Sequence, residues 1–263
     1  MQFYLGTHIP SWLKCIDVPL FVSHQRLRHL KTLPRALGTW ALDSGGFTEI
    51  AQHGTWTITP QAYITAVRRY QDEIGRMEWA APQDWMCEPD MLHKTGKTIY
   101  AHQVLTIANY LTLMDSAPDL PFVPVLQGWS EPDYLRHVEM YARAGVDLTT
   151  YDTVGIGTVC RRQGTHEAIQ IINSLTGLGI KLHGFGFKLT GLKQAAHLLH
   201  SADSMAWSYA GRRTPDPTGR RKNLANCQQY AMQWRTRVLD AIERGETNTW
   251  QHRMLLTSPD TAA

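Results

Sequence analysis

The sequence predicts an α/β fold, a (β/α)₈ TIM barrel in a single domain. Three observations predict it. Short apolar runs recur along the chain with amphipathic segments between many of them, the pattern of parallel strands joined by helical crossovers. About eight such runs fit in the 263 residues, a length at which a barrel of this kind forms one unit. The apolar content of 43% is enough to fill a core, and the charged content of 19% is too low for a disordered chain.

The runs are Phe3–Leu5, Leu20–Val22, Trp40–Leu42, Glu78–Ala81, Phe122–Leu126, Thr153–Ile156, Lys181–Phe185 and a short one at Asp203–Trp207. Between them lie helices with readable ends. "TPQAYITAVRRYQDEIG" opens on Thr-Pro and stops at Gly75, and "TIYAHQVLTIANYLTLMDSA" reads as a long helix. "SEPDYLRHVEMYARAG" has Ser130 as N-cap, Pro132 in its first turn and Gly145 as its stop. "THEAIQIINSLTGLG" opens at Thr165 and closes at Gly177 or Gly179, and "GLKQAAHLLHSA" follows the seventh run. Residues 1–210 are thus expected to form the barrel core. Residues 211–223, "GRRTPDPTGRRKN", lack apolar periodicity and read as an exposed basic loop. Residues 224–250 are expected to form a C-terminal helix packed on the barrel, and 251–263 a tail.

Bulk properties narrow the function. The formal charge of +3 is mildly basic, compatible with a polyanionic partner without requiring one. Cys15, Cys87, Cys160 and Cys227 are scattered with no CxxC, so neither a zinc knuckle nor a disulfide framework is signalled and free thiols in a reducing cytosol are expected. "MQFYLGTHIP" lacks the basic start and apolar core of a secretion signal, and no run approaches a membrane span, so a cytoplasmic location is expected. No cofactor is signalled.

In a barrel of this type the chemistry sits where strands give way to their following loops. Here strand after strand ends in a polar group beside glycine. The third ends in Asp43-Ser44-Gly45-Gly46-Phe47, and the fourth leads into Pro82-Gln83-Asp84-Trp85. The fifth ends in "VLQGW" with Gln127 and Gly128, the sixth in "GIGTVCRR" with Gly155 and Gly157, and the seventh in "HGFGFK" with His183, Gly184 and Phe185. Asp203 lies in "SADSMAWS". Singly, each has a structural explanation: a helix cap, a turn acid, a satisfied buried amide, a core histidine. Jointly they point to a ligand site.

Asp43 and Asp203, projecting into one mouth from different strands, suit displacement at a sugar carbon, one attacking and the other handling the proton. Asp84 can accept two adjacent N–H groups, and Gln127 can both donate and accept. A guanine edge offers N1–H, a 2-amino group and O6, which these two residues and the backbone near Gly128, Gly155, Gly157 and Gly184 can match. Phe47, Phe185 or His183 can cover the ring face, and bare backbone lets a flat ligand come close.

"LDSGGF", "PFVPVLQGW", "VGIGTVCRRQ", "LHGFGFK" and "DSMAWS", in this order, resemble the signatures of the tRNA-guanine transglycosylase superfamily. They are most similar to those of its DNA-directed branch, the deazapurine DNA modification transglycosylases (DpdA). The resemblance covers roughly Phe3 to Trp234. It implies exchange of guanine for a 7-deazaguanine such as preQ0 or preQ1. By motif position, Asp203 is the implied nucleophile on C1′ and Asp43 the implied acid/base. Asp84, Gln127, Gly157 and the Ser44–Phe47 loop, including Gly45 and Gly46, are implied to hold the heterocycle. The tRNA enzymes usually carry a three-Cys, one-His zinc site after the last strand. Here only Cys227 stands in "NLANCQQYAMQW", so no metal site of that type is expected, which favours DNA.

A base inside a duplex is out of reach of such a pocket, so the expected partner is DNA with a flipped-out or single-stranded guanine. A protein that opens DNA is a further possible partner. Arg161, Arg162, Lys188, Arg212, Arg213, Arg220, Arg221 and Lys222 are candidates for a phosphate-binding rim. Three other readings stay open on the sequence: the same exchange on tRNA, a nucleoside glycosidase, and a non-catalytic nucleic-acid-binding barrel.

Overall fold

The structure is a computed structural model that describes residues 1–159 and 165–257, with side chains to residue 244. The strands are β1 (Gln2–Thr7), β2 (Leu20–Ser23), β3 (Trp40–Asp43), β4 (Met77–Ala80), β5 (Val125–Leu126), β6 (Val154–Ile156), β7 (Leu182–Gly184) and β8 (Ser201–Ser204). The α-helices are α1 (His24–Leu27), α2 (Gly46–His53), α3 (Pro60–Glu73), α4 (Pro89–Thr95), α5 (Ile99–Ser116), α6 (Glu131–Arg143), α7 (His166–Gly177), α8 (Leu189–Ala195), α9 (Ala206–Arg212) and α10 (Gln228–Thr257).

The eight strands form one parallel sheet in the order β4-β3-β2-β1-β8-β7-β6-β5. The expected barrel is met in part. The sheet curls until its edges meet, but only through an isolated bridge between Ala80 and Phe122, not through a ladder. The reason is in "LPFVPV": Pro121 and Pro124 have no N–H to donate, so the predicted strand Phe122–Leu126 keeps a regular ladder only at Val125–Leu126. What remains is Ala80 N–H donating to Pro121 O (2.9 Å) and Val123 N–H donating to Ala80 O (3.1 Å).

Strand alternation decides what faces the site. Phe3, Leu5, Leu20, Val22, Trp40, Leu42, Ala80, Leu126, Val154, Ile156, Leu182 and Ala202 belong to the main core between sheet and helices. Residues of the opposite parity, Tyr4, Phe21, Ala41 and Trp79, pack together inside the curl with Ala81, Val123 and Phe185. Asp43 shares the parity of Ala41. Asp203, Gln127, His183, Gly155 and Gly157 are likewise one residue removed from outward-facing neighbours, so the candidate side chains project inward.

The eighth strand differs from expectation. It spans Ser201–Ser204, and Trp207 belongs to α9 rather than to the strand. The fully buried Trp207 indole donates to Gly6 O (2.8 Å) and stacks on Trp12, their centroids 5.1 Å apart. Helix α10 packs on α8, α9 and β1 through Ala231, Trp234, Val238 and Ile242, spaced as one helical face, with Trp234 against Phe3. It runs through Thr257, into the segment read as a tail. No helix among the described residues is long and apolar enough to cross a membrane.

Trp207 ties the end of β1 to the chain after β8. Trp207→Ala is expected to lower unfolding free energy by about 3–5 kcal/mol in chemical denaturation, because it opens a cavity and strands the Gly6 carbonyl. A loss below ~1 kcal/mol would show that the site frame does not lean on this indole.

Candidate active site

β3 ends on Asp43, and the chain turns at once into α2. Gly45 caps that helix with φ 78°, a left-handed conformation costly for other residues, and its N–H donates to Asp43 Oδ1 (3.0 Å). The turn that starts the helix thus also fixes the carboxylate. The Ser44–Phe47 stretch is therefore not a free loop, since Gly46 and Phe47 open α2. Helix α2 is anchored by buried Glu49, which accepts from Gln25 Nε2 (2.8 Å), Arg28 Nη1 (3.2 Å), Thr57 N–H (3.1 Å) and Thr57 Oγ1 (2.5 Å).

Asp43 and Asp203 line one cavity of about 550 Å³ although two strands, β2 and β1, separate theirs. Asp43 is half-buried. Burial raises its carboxyl above the ordinary range, the negative charge of Asp203 adds to the rise, and donors from Gly45 and Ser23 oppose it. Asp203 Oδ1 accepts from Gly186 N–H (2.8 Å).

Asp84 and Gln127 line the same cavity, and Gln127 Nε2 donates to Asp84 Oδ2 at 2.5 Å. Gln127 is fixed from every side. Its Oε1 accepts from Thr158 Oγ1 (2.6 Å), its N–H donates to His137 Nδ1 (2.9 Å) and its carbonyl accepts from Gln103 Nε2 (2.7 Å). Gly157 makes room for it: a Cβ there would lie 2.2 Å from Gln127 Nε2.

Of the residues predicted for the heterocycle, Ser44, Gly46, Phe47, Asp84, Gln127, Gly157 and Phe185 line the cavity, whereas Gly45, Gly128, Gly155, His183 and Gly184 do not. Gly128 abuts Asp133 and Tyr134, Gly155 abuts the Phe185 ring, and Gly184 abuts the Phe187 ring, so these three serve packing behind the wall. His183 is fully buried beneath Asp203.

Sequence reasoning missed several lining residues: Thr7 at the end of β1 and His8 after it, Arg26, Met86, Glu88, Thr158 and Met205. Thr158 carried a faint signal, as the residue after "GIG"; its φ of 63° is rare for a threonine. Glu88 stands four residues beyond Asp84, is buried, and lies within 3.3 Å of Thr158 Oγ1.

Among the candidate rim residues, Lys188, Arg212, Arg213, Arg220, Arg221 and Lys222 are exposed and none lines the cavity. Arg161 and Arg162 lie outside the described residues. The basic segment nevertheless returns to the mouth. Beyond it, Ser208 Oγ donates to Ala225 O (3.1 Å), and Asn226 Oδ1 is 2.7 Å from Nε2 of His8, a lining residue. Arg213 lies over the exposed Tyr209 ring at 4.2 Å.

A family model described as DpdA, DeoxyPurine in DNA protein A, matches residues 1–261. No curated protein matches the chain.

Burial pushes the Asp84 carboxyl up from 3.8 to about 7, the charges of Asp43 and Glu88 adding to the rise and the Gln127 donor opposing it. Between those values the folded protein holds a proton that the unfolded chain has released. The contribution of Asp84 to stability is therefore complete below 3.8 and is lost as pH rises through about 7. The difference in thermal midpoint between wild type and Asp84→Asn is expected to move against the wild type from about pH 5 to about pH 8. A difference constant over that range would show that this carboxyl ionises normally.

Proposed function

This chain belongs to the DpdA family, and on that premise we propose that it is a DNA guanine transglycosylase, which cuts guanine from a deoxynucleotide and installs a 7-deazaguanine of the preQ0 or preQ1 kind. The observation that carries the reading is the convergence of Asp43 and Asp203 on one cavity that also holds the Asp84–Gln127 pair.

Asp203 attacks C1′ while the C1′–N9 bond breaks, and the bonding pair leaves with guanine. Asp43, whose surroundings favour its protonated form, gives that proton to the departing base. The product is an ester between Asp203 and the sugar. Asp43, now ionised, takes a proton from the incoming base, whose nitrogen attacks C1′ and displaces the Asp203 carboxylate. Two displacements at one carbon restore the original configuration.

Asp84 and Gln127 recognise the base edge. Gln127 cannot turn to suit a different pattern, because both ends of its amide are already bonded. A pocket with fixed polar partners rejects a base that leaves them unmatched. Phe47 and Phe185 on the cavity wall supply apolar surface for the ring.

The mouth faces DNA. Arg26, Phe47 and Met205 are exposed lining residues, and the segment bearing Arg212, Arg213, Arg220, Arg221 and Lys222 rejoins the mouth at Asn226. The target nucleotide enters flipped out of the duplex or from a single strand, since the cavity lies below the protein surface.

Asp203→Asn and Asp43→Asn are each expected to abolish release of labelled guanine from DNA and incorporation of a labelled 7-deazaguanine, with circular dichroism unchanged. A large residual activity in either variant would assign the chemistry to another group, and incorporation into tRNA but not DNA would redirect the substrate.

Replacing Arg212, Arg213, Arg220, Arg221 and Lys222 with alanine is expected to weaken DNA binding and flatten its salt dependence, by about 0.7–0.9 in log–log slope for each phosphate that the variant no longer neutralises. An unchanged slope would place the phosphates elsewhere.

A further inference from the structure

We propose that His183 is a positioning residue for Asp203: its Nε2–H and the Gly186 N–H together hold Oδ1, which leaves Oδ2 as the oxygen that attacks C1′. The inference rests on the transglycosylase reading above.

His183 stands on β7 next to β8, where it is paired in register with Ser201, and its side chain is 0% exposed. Its Nε2 lies 3.4 Å from Asp203 Oδ1 and, among the described residues, has no hydrogen-bond partner. Its Nδ1 is 2.9 Å from Ser201 Oγ. An ionised carboxylate only accepts hydrogen bonds, so a lone pair on Nε2 would face another lone pair. The ring proton therefore belongs on Nε2, and Nδ1 takes the hydroxyl proton of Ser201. The order runs from Ser201 O–H to Nδ1, and from Nε2–H to Oδ1.

The rest of the surroundings is apolar ring surface. The centroids of Trp79, Phe185, Phe21 and Tyr4 lie 4.6, 5.0, 5.6 and 5.7 Å from that of His183. Two of these rings carry polar groups, and both are engaged elsewhere. Tyr4 OH donates to Glu78 Oε2 (2.6 Å), and Trp79 Nε1 donates to Tyr4 OH (3.0 Å). Burial keeps the imidazole neutral, against the opposing pull of Asp203, and the charge of His200 acts in the same direction as burial. A neutral imidazole has one N–H, and here Asp203 receives it.

The consequence is directional. With Oδ1 bonded to the Gly186 N–H and 3.4 Å from His183 Nε2, rotation of the carboxylate is opposed, and Oδ2, which takes no hydrogen bond among the described residues, is left for the sugar. When the incoming base breaks the ester, negative charge returns to Asp203 and two donors already stand at Oδ1 to receive it. Ser201 acts one step further back, by fixing the tautomer.

The test uses the full chain. His183→Phe fills the space but removes the N–H, and it is expected to lower kcat for guanine exchange about 10- to 100-fold, with KM for base and DNA within about two-fold. His183→Gln, which restores an N–H, is expected to recover part of the loss, and Ser201→Ala to lower kcat by less than His183→Phe. Nitrogen-15 NMR of wild type is expected to show the Nε2–H tautomer at His183, and that of Ser201→Ala a mixture. A folded His183→Phe with kcat within about two-fold of wild type, or a wild-type Nδ1–H tautomer, overturns the proposal. If wild type exchanges no base, the transglycosylase reading fails while the tautomer still decides the geometry around Asp203.

Discussion

Burying a carboxylate is costly unless donors replace the water it loses. The mouth of this sheet draws several carboxyl groups wholly or partly out of solvent, and its local structure supplies donors to three of them. Asp43 has the Gly45 N–H, Asp203 the Gly186 N–H, and Asp84 the Gln127 amide. Each donor comes from the turn directly after a strand or from the end of a neighbouring strand. Strand alternation aims the side chains inward, and the following turn meets them. Fold and site are thus coupled at every strand end, which is why backbone that looks like mere connection carries so much of the geometry.

The same constraint explains which turns admit substitution. Gly157 is bare because Gln127 occupies the volume of its Cβ, and the next residue, Thr158, accepts a positive φ so that its hydroxyl reaches the other end of the same amide. Cys87 N–H donates to that hydroxyl oxygen (2.9 Å), which links the β4–α4 segment to the β6 end. Asp84 is reached through the same segment, whose carbonyl accepts from Trp56 Nε1 (3.1 Å). The edge proposed to read the base is therefore one connected hydrogen-bonded wall drawn from three strand ends.

The parallel sheet and the inward acids were legible because apolar runs alternate with helices and because several runs end on polar residues, at the third, fifth, sixth and seventh beside glycine. The gap in the ladder at β5 was not, since "PFVPV" has the hydrophobicity of a strand and only the missing proline N–H groups break it. Trp207 read as strand for a related reason: its indole has the apolar weight of a strand residue, and its bond to Gly6 joins segments 201 positions apart in the sequence. Gly128, Gly155 and Gly184 read as ligand-facing because glycine marks close approach without saying what approaches; here it is a side chain of the same protein. Glu88, Thr158 and His8 gave little signal because their places depend on contacts between distant segments.

Two acids in one cavity do not by themselves say which one holds a proton. Like charges close together raise the cost of ionising both, so the proton goes where the surroundings favour it most. Burial and the Asp203 charge both push Asp43 toward its protonated form. Asp203 has a backbone donor on one oxygen and an imidazole nitrogen 3.4 Å from the same atom. That arrangement orients one oxygen of Asp203 toward the cavity, as the proposed attack on the sugar requires. The assignment of Asp43 to proton transfer and Asp203 to the sugar therefore has support from the environments of the two groups, apart from their positions in the motifs. It also connects the aromatic floor to the chemistry: the rings of Tyr4, Phe21, Trp79 and Phe185 keep water from His183, and a dry, neutral imidazole can give its one proton to Asp203 alone.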